Sequence, residues 1–542
     1  MKRRVRLAAL MLAALCCLAP LCGCAGSGDA LSLSVCVGRE IASLDPIYAR
    51  ESGDRTILVH LYENLMRLTP DGTAANGAAR SVTQEVNLDG TVTYTFRLRS
   101  AKWSDGRTLR AADFVYAWRR LADPANRSPY AQLLSVVSGY EEARSSGDMS
   151  LLQISARNES TLLVTLSGRY DWFLSQVCTA PATLPLREDV VKKLSGEEGA
   201  QAAFWWKDPM ALVTNGPYRP ADYEGGASLR VTAYDRYSGT RPEPREITFR
   251  FASTAEAAQA LYDAREADIV WPLTQERFSE LLADESATLA PELGTWSVLF
   301  NGAVFSDPAI RQAMTLAVDR TALAEAAGPG ASPAAGLVPP GVPENEDGDF
   351  RALGGTLDHD PADYADRCAQ ARQLLEEAGY DGGAMAEREL LYCEQEMNGE
   401  TAQLLCDQWR EALGVRVTPR AVSREELAIS LSAGRYALAA TCLTALCSDA
   451  ECFLMRWTSG RADNVVGYAN SAYDTLMSII AGASGTARMG CLHDAEELLL
   501  ADCRVVPLYS RLTGWEVRRT LTGAVRDPRG YFNLTGVINR PA

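Results

Sequence analysis

The chain has 542 residues, a length that predicts two or three lobes rather than one compact core. Hydrophobic residues make up 47% and charged residues 23% of the chain, which is typical of a globular protein and excludes a disordered or polytopic membrane chain. The formal net charge is −16, and so acidic a chain argues against nucleic acid as a partner, because binding nucleic acid needs clustered lysines and arginines.

The start of the chain predicts a targeting segment over residues 1–23. Lys2-Arg3-Arg4 precedes an apolar run over residues 7–21, which is too short to span a bilayer. Leu21-Cys22-Gly23-Cys24 then resembles a bacterial lipobox, which implies cleavage before Cys24 and a lipid on its sulfur. The alternative is a plain secretory signal with incidental cysteines. Residues 24–30 predict a short flexible tether.

Cysteines beyond Cys24 are numerous and even in number, and outside the cytoplasm this permits disulfides whose pairing the sequence leaves open. Three of them, Cys442, Cys447 and Cys452, are spaced by five residues, which is neither a zinc nor a familiar iron–sulfur spacing. Buried thiols or a bridge are therefore expected here, with no metal site and no cofactor. The full set is Cys36, Cys178, Cys368, Cys393, Cys406, Cys442, Cys447, Cys452, Cys491 and Cys503.

The first half of the chain carries motifs that are more specific than the elements they predict. Residues 91–99 alternate with a period of two and predict a strand. Trp103-Ser104-Asp105-Gly106 predicts a turn, and residues 112–120 predict a helix that ends at Asp123-Pro124. The other motifs are Leu44-Asp45-Pro46, Tyr62-Glu63-Asn64-Leu65 and Val213–Tyr218.

The central stretch Phe300–Arg320 follows an apolar run, Trp296–Phe300, that predicts a buried strand. Asp307 and Pro308 predict a helix start, because aspartate caps free N–H groups and proline suits the first helical position. A second short helix is predicted to begin at Asp319. Taken alone, this is an ordinary strand–helix unit.

These motifs and their order resemble the extracytoplasmic solute-binding proteins of family 5, the oligopeptide- and dipeptide-binding lipoproteins of ABC importers. Further matches follow towards the C-terminus, at Gly467-Tyr468, Tyr473-Asp474 and residues 505–509. The resemblance covers nearly all of the mature chain.

Residues 364–443 alternate regularly between helical and strand patterns, which predicts a mostly parallel sheet with helical crossovers. This region is therefore α/β on its own evidence. The resemblance implies the rest of the fold class: a two-lobed periplasmic-binding-protein-like fold of type II, cluster C, with an extra subdomain in the first lobe.

The expected organisation assigns residues 1–23 to a lipoprotein signal peptide and 24–30 to the tether. The core of the first lobe is expected over residues 31–66, 204–297 and 506–542, with the additional subdomain over 67–203. The second lobe is expected over residues 298–505. Val213–Tyr218 and Phe300–Arg320 are the candidate crossings between the lobes.

The resemblance implies an extracytoplasmic substrate-binding lipoprotein that captures peptides between two hinged lobes and delivers them to an ABC permease. The alternatives are the same fold binding a non-peptide solute, such as a nickel chelate, a sugar or a heme-like ligand, and a lipoprotein with a scaffold role. The expected partners are a peptide or other small solute, the permease, and the cell membrane through a lipid anchor on its extracytoplasmic face. We expect a monomer.

An enzyme is not expected. The three histidines, His60, His359 and His493, are dispersed, and the sequence has no HExxH, no GxSxG and no Walker loop.

The resemblance also implies where the ligand is held. In oligopeptide-binding members an aspartate follows the strand that matches residues 436–443, and it neutralises the α-amino group of the peptide. A gapless match places Leu446 there, so we hypothesise that free-amine recognition is lost, unless Asp449 or Glu451 replaces the missing carboxylate. An acid near the start of the family's chains matches Arg50. The expected ligand-binding residues are Arg50, Glu51, Asn301, Cys442, Leu443, Thr444, Leu446, Asp449 and Tyr509.

Overall fold

The structure is a computed structural model that describes residues 31–69, 73–195, 204–284, 288–344, 348–381 and 385–540. The expected signal peptide, Cys24 and the tether lie outside these described residues. Over the described part of the chain, no helix has both the length and the apolar character that crossing a membrane requires.

Strands supply three main sheets. In chain order they are β1 Ser32–Cys36, β2 Met66–Leu68, β3 Ala74–Asn76, β4 Ala79–Val86, β5 Val92–Leu98, β6 Ile154–Asn158, β7 Thr161–Leu166, β8 Tyr218–Glu224, β9 Ser228–Ala233, β10 Glu246–Arg250, β11 Ile269–Val270, β12 Leu289–Phe300, β13 Ala331–Pro333, β14 Arg388–Tyr392, β15 Val417–Ala421, β16 Leu438–Thr444, β17 Val505–Gly514, β18 Glu516–Val517, β19 Leu521–Thr522, β20 Val525–Arg526, β21 Phe532–Asn533 and β22 Ile538–Asn539.

Helices cover these sheets. They span Ser52–Leu61, Ala111–Ala122, Tyr140–Ser146, Glu188–Ser195, Ala255–Asp263, Gln275–Ala283, Pro308–Leu316, Arg320–Ala327, Phe350–Leu353, Tyr364–Glu377, Gly399–Leu413, Arg424–Ser432, Ala450–Leu454, Ser471–Ile480 and Gly485–Ala501.

The first lobe is built on a six-stranded sheet in the order β18-β11-β1-β10-β9-β8, to which a four-stranded antiparallel sheet, β4-β5-β7-β6, is added. Strand β5 alternates buried and half-buried side chains, as its period of two predicts. Phe114 and Trp118 are fully buried on one face of the helix Ala111–Ala122, and Trp118 lies against Phe173. One continuous hydrophobic core joins the two sheets.

The second lobe is built on a six-stranded sheet in the order β13-β17-β12-β16-β14-β15. Separate hydrophobic cores include side chains from both faces of its strands, which is the layering of an α/β lobe. Strands β14, β15 and β16 pair in parallel, as predicted from their helical crossovers. Strand β12 pairs antiparallel with both neighbours, so the sheet is mixed rather than mostly parallel, because β17 returns from the C-terminal side of the chain.

The helix starts of the central stretch are confirmed. Asp307 accepts a hydrogen bond from the backbone N–H of Ala309 at 2.9 Å, and Pro308 begins the helix Pro308–Leu316. Asp319 likewise caps the helix Arg320–Ala327. The strand before them is longer than predicted, since β12 begins at Leu289.

The two lobes are connected beside Leu289 and Gly514, which pair at the end of the long β12–β17 ladder. Only Trp515 separates Gly514 from β18, and β18 already belongs to the first sheet. The predicted crossings at Val213–Tyr218 and Phe300–Arg320 are therefore wrong. Tyr218 begins β8 of the first sheet, while Phe300 ends β12 inside the second. The residue bounds expected for the lobes and the subdomain stay a prediction.

Candidate ligand-binding cleft

A cavity of about 410 Å³ lies between the two lobes. The first lobe lines it with residues around the start of the helix Ser52–Leu61 and with the turn of the β20–β21 hairpin. The second lobe lines it with the start of β12 and the end of β16. Cavities of this volume accommodate small molecules, and one shared by two lobes suits a ligand that is enclosed when the lobes approach each other.

A second cavity of about 500 Å³ adjoins the first. Arg526, Pro528 and Tyr531 line both, so the β20–β21 turn separates the two spaces. Gly341 and Pro343 also line the larger cavity. These two residues lie in the second lobe, between β13 and the helix Phe350–Leu353.

The end of β16 presents alternate side chains to the cleft. Cys442 and Thr444 line the smaller cavity, whereas Leu443 points to the opposite face and is buried in a core of the second lobe. This alternation follows from the pleat of a strand. Leu446, just beyond the strand, lines the cavity and packs against the core of the first lobe. Of these four predicted residues, Leu443 alone lies away from the ligand space.

The two acids that could have replaced a missing carboxylate are held elsewhere. Asp449 caps the helix Ala450–Leu454 and lies 2.7 Å from Nη2 of Arg488. Glu451 lies 2.7 Å from the same nitrogen and also accepts a 2.9 Å hydrogen bond from Nε1 of Trp172 in the first lobe. Burial raises the pKa of the Glu451 carboxyl and the nearby Asp449 raises it further, whereas Arg488 lowers it. Neither carboxylate is free to meet a ligand.

The remaining predicted residues do not line the cleft cavity. Asn301 donates hydrogen bonds to the carbonyl oxygens of Gly434 and Tyr436, so it supports a loop of the second lobe. Tyr509 is buried and stacks on Trp296 at a ring distance of 5.5 Å.

Near the start of the chain, Arg50 is exposed and Glu51 precedes the helix Ser52–Leu61 without a side-chain capping bond. These two predicted positions border the cleft region without lining the cavity itself. The ligand-binding role expected for Arg50 and Glu51 stays a prediction.

Four charged residues that the sequence did not indicate do line the cavity. Arg55 lies on the helix Ser52–Leu61, Arg526 on β20, Arg529 in the β20–β21 turn and Glu292 near the start of β12. The available signal for Glu292 was its place four residues before the predicted apolar run Trp296–Phe300. Arg55 and Arg526 gave no comparable signal, since each lies outside the motifs that carry the family resemblance.

The charges of these residues influence one another. Burial raises the pKa of the Glu292 carboxyl, and Arg511 and Arg526 oppose that shift. Burial lowers the pKa of Arg526; Glu292 and Asp527 oppose this, and the neighbouring Arg55 adds to it. The cavity therefore holds Arg55 and Arg526, whose charges repel each other, together with Arg529, which is paired with Asp527, and the acid Glu292.

The Cys442 thiol that lines this cleft is not activated for reaction. Burial raises the pKa of the Cys442 thiol, and Glu292 and Glu396 raise it further, so the thiol stays protonated and is a poor nucleophile. All cysteines of the described ranges are unpaired thiols. Within those same ranges, no group of three or more His, Cys, Asp or Glu side chains is placed to hold a metal ion.

Comparison with known proteins agrees with this geometry. The chain is similar to the probable deoxycholate-binding periplasmic protein YgiS of Escherichia coli (strain K12), with 27% identity over 476 residues, covering 86% of this chain and 85% of the relative. It is 26% identical over 506 residues to the dipeptide-binding protein DppE of Bacillus subtilis (strain 168), covering 91% of this chain and 89% of the relative.

Among solved structures, Haemophilus influenzae OppA in complex with the peptide RPPGFSPFR matches with a TM-score of 0.74 and 26% identity, covering 94% of this chain and 99% of that chain. The family model for bacterial extracellular solute-binding proteins, family 5 Middle, matches residues 76–465. The chain therefore belongs to family 5 of the bacterial extracellular solute-binding proteins, which bind substrates for ABC importers and are not enzymes.

Proposed function

We propose that this protein is a lipid-anchored solute receptor that closes two lobes over its ligand and delivers it to an ABC permease. The observation that supports this best is the cavity of about 410 Å³ lined by both lobes. Closing the lobes would remove the ligand from water, and the closed surface would be the form that a permease recognises. The anchor is proposed to be a lipid on Cys24.

The crossing between the lobes supports a hinge. The chain passes between the two sheets beside Leu289 and Gly514. Pairing of β12 with β17 is irregular between Pro291 and Thr295, so this part of the ladder lacks the regular bonds that resist bending. We propose that the second lobe spans residues 289–514, because β12 and β17 pair up to Leu289 and Gly514. The motifs predicted residues 298–505 for this lobe.

Peptides are the first candidate ligands, because several relatives are named as dipeptide- or oligopeptide-binding proteins. Leu446 lines the cavity where the family match expects an aspartate, and Arg488 holds both Asp449 and Glu451. An ammonium group enclosed without a charge partner costs several kcal/mol. Glu292 lines the same cavity, but its charge already faces Arg511 and Arg526. The ligand is therefore proposed to be uncharged at that end, as in blocked or cyclic peptides.

A non-peptide solute is the second candidate. One relative is named as probably binding deoxycholate, an amphipathic carboxylate without an amine. Leu133, Ala182 and Leu446 give the cavity an apolar wall that suits such a body. Both candidates lack a free ammonium group.

Mass spectrometry of solutes released from the purified protein tests the ligand class. X-ray scattering tests closure. The bound solute is removed from the purified protein by partial unfolding, and the refolded protein is measured before and after the released solute is added back. We expect a smaller radius of gyration in the loaded protein. An unchanged radius at saturation would show a rigid binder and would refute the hinge, whereas a protein that yields no solute and binds none would refute the receptor function.

A further inference from the structure

Two guanidinium groups converge inside the cleft. Arg55 reaches the cavity from the helix Ser52–Leu61, and Arg526 reaches it from β20. A Cβ atom placed on Gly530 would lie 3.6 Å from Nη2 of both arginines, so the ends of the two side chains flank this glycine. Gly530 has a φ of +93°, which a residue with a side chain rarely adopts. The glycine leaves open the space between the two cations.

Neither arginine has an anionic partner among the residues that the structure describes. No described carboxylate lies within the 4.0 Å ion-pair distance of either guanidinium, and Nε of Arg55 is buried without a hydrogen-bond acceptor. Their contacts are instead aromatic: Arg55 lies 5.9 Å from the ring centre of Tyr531, and Arg526 lies 5.7 Å from that of Trp515. These rings orient the side chains and leave their N–H donors available.

The neighbouring acids are engaged elsewhere. Asp527 is bound by Arg529 at 2.8 Å, and Asp54 accepts hydrogen bonds from the backbone N–H groups of Ala42 and Ser43. Glu292 faces Arg526 from the other lobe, and it also faces Arg511. In a chain whose net charge is −16, this cleft therefore carries a local excess of positive charge.

The turn that carries Arg526 is firmly held. Arg529 donates to the carbonyl oxygen of Gln176 at 2.7 Å and to Oγ1 of Thr179 at 3.0 Å. Ser52, on the same helix as Arg55, donates from Oγ to the carbonyl oxygen of Gly530. The backbone segments that carry the two arginines are therefore held together without a ligand, which lowers the cost of binding one.

We propose that Arg55 and Arg526 form a carboxylate-binding subsite, so that the solute of this receptor carries a negative charge and no compensating ammonium group. This rests on the proposed function, since it assigns the chemistry of the same cleft. Paired guanidinium donors suit a carboxylate, whose two oxygens each accept charge-assisted hydrogen bonds. The carboxylate could belong to a peptide C-terminus or to an amphipathic acid.

Matched ligand pairs test the subsite. One pair is a pool of N-acetylated tetrapeptides made as C-terminal acids and as C-terminal amides; the other is deoxycholate and its methyl ester, used below micelle-forming concentrations. Each pair is offered in equal amounts to the stripped protein, and the retained molecules are counted by mass spectrometry. We expect the wild type to retain the acid of at least one pair over its neutral partner by about tenfold to hundredfold, as one or two hydrogen bonds to a charged group predict.

Variants connect the preference to the two arginines. Arg55→Gln and Arg526→Gln together should bring the ratio of acid to neutral ligand close to one, while the exposed Arg219→Gln should leave it unchanged. Glu292→Gln should raise the ratio, because it removes the facing negative charge. Circular dichroism confirms that each variant is folded, and a variant that fails this check is replaced by the corresponding lysine variant, which keeps the charge but not the paired donors.

The outcomes separate the two proposals. Equal retention of acid and neutral ligand by the wild type would overturn the carboxylate subsite while leaving the receptor function intact. Retention of no ligand from either pair would overturn the subsite and count against the receptor function as well. Glu292→Gln and Arg526→Gln could also change lobe closure by the same amount while neither changes the preference for the acid. That result would show that the arginines hold the two lobes together through Glu292, and it would refute the subsite.

Discussion

Removal of the Arg488 guanidinium should destabilise the second lobe strongly. The side chain of Arg488 is 4% exposed and contacts Asp449 and Glu451, which are 13% and 4% exposed, at 2.7 Å each. Arg488→Gln would leave two neighbouring carboxylates buried without a cation. Breaking a buried pair in this way costs about 3–5 kcal/mol of the free energy of unfolding.

A surface pair gives the matched control. Arg410 is 56% exposed and lies 2.8 Å from Asp407, so Arg410→Gln should cost about 0–1 kcal/mol, as exposed ion pairs generally do. Urea unfolding followed by circular dichroism measures both. The loss for Arg488→Gln should be smaller at pH 5 than at pH 8, because burial already raises the pKa of Glu451 and its carboxyl can take up a proton at the lower pH.

Glu451→Gln, added to Arg488→Gln, should recover part of the lost stability, because one of the two stranded charges is then absent. If Arg488→Gln costs no more than Arg410→Gln, or if its cost is the same at both pH values, the buried pair does not stabilise the lobe. Arg488 would then not hold Asp449 and Glu451 away from the ligand.

Three further predictions concern the anchor, the ligand amine and pH. Cys24→Ser should move the protein from the detergent phase to the soluble fraction of a cell extract, and a mutant that still partitions into detergent would place the anchor elsewhere. In calorimetric titrations, wild type should prefer an N-acetylated peptide to its free-amine form or bind neither. Leu446→Asp should gain relative affinity for the free amine. If wild type instead prefers the free amine and Asp449→Asn abolishes that preference, Asp449 is a substitute carboxylate and the prediction is wrong. Burial raises the pKa of Asp54 to about 7, so the folded state holds a proton that the unfolded state releases, and the stability this gives is lost as the pH rises through about 7. The wild type should therefore lose more stability than Asp54→Asn between pH 5 and pH 8 in urea unfolding, and equal losses would contradict this.

The receptor function and the carboxylate subsite make different demands on the cleft. In the two proposals, closure depends on the crossing beside Leu289 and Gly514, whereas selectivity depends on Arg55, Arg526 and Leu446. A variant that closes normally but loses its preference for an acid would separate the two. Such a variant would also show that the lobes move without needing a full set of ligand contacts.

Local patterns in the sequence determined the elements of the second lobe. Asp307 and Pro308 begin a helix because capping and proline geometry act within a few residues of each other. Helical and strand patterns alternate over residues 364–443, and this alternation predicted the parallel strands β14, β15 and β16. A helix that connects two strands of one sheet returns the chain to the same edge, so the two strands run in the same direction. The order of the motifs indicated the family for the same reason, since each motif is a short run of neighbouring residues.

The tertiary structure alone decided which side chains meet the ligand space. Leu446 lines the cleft cavity, whereas Asn301 and Tyr509 support the second lobe from within. The ligand-binding role expected for these residues stays a prediction. Arg55 and Arg526 come from opposite ends of the chain and meet only because the C-terminal hairpin returns to the first lobe. Sequence periods act over a few residues, whereas a cavity is formed by segments that are distant in the chain. The charge and selectivity of the cleft therefore follow from the fold rather than from any one motif.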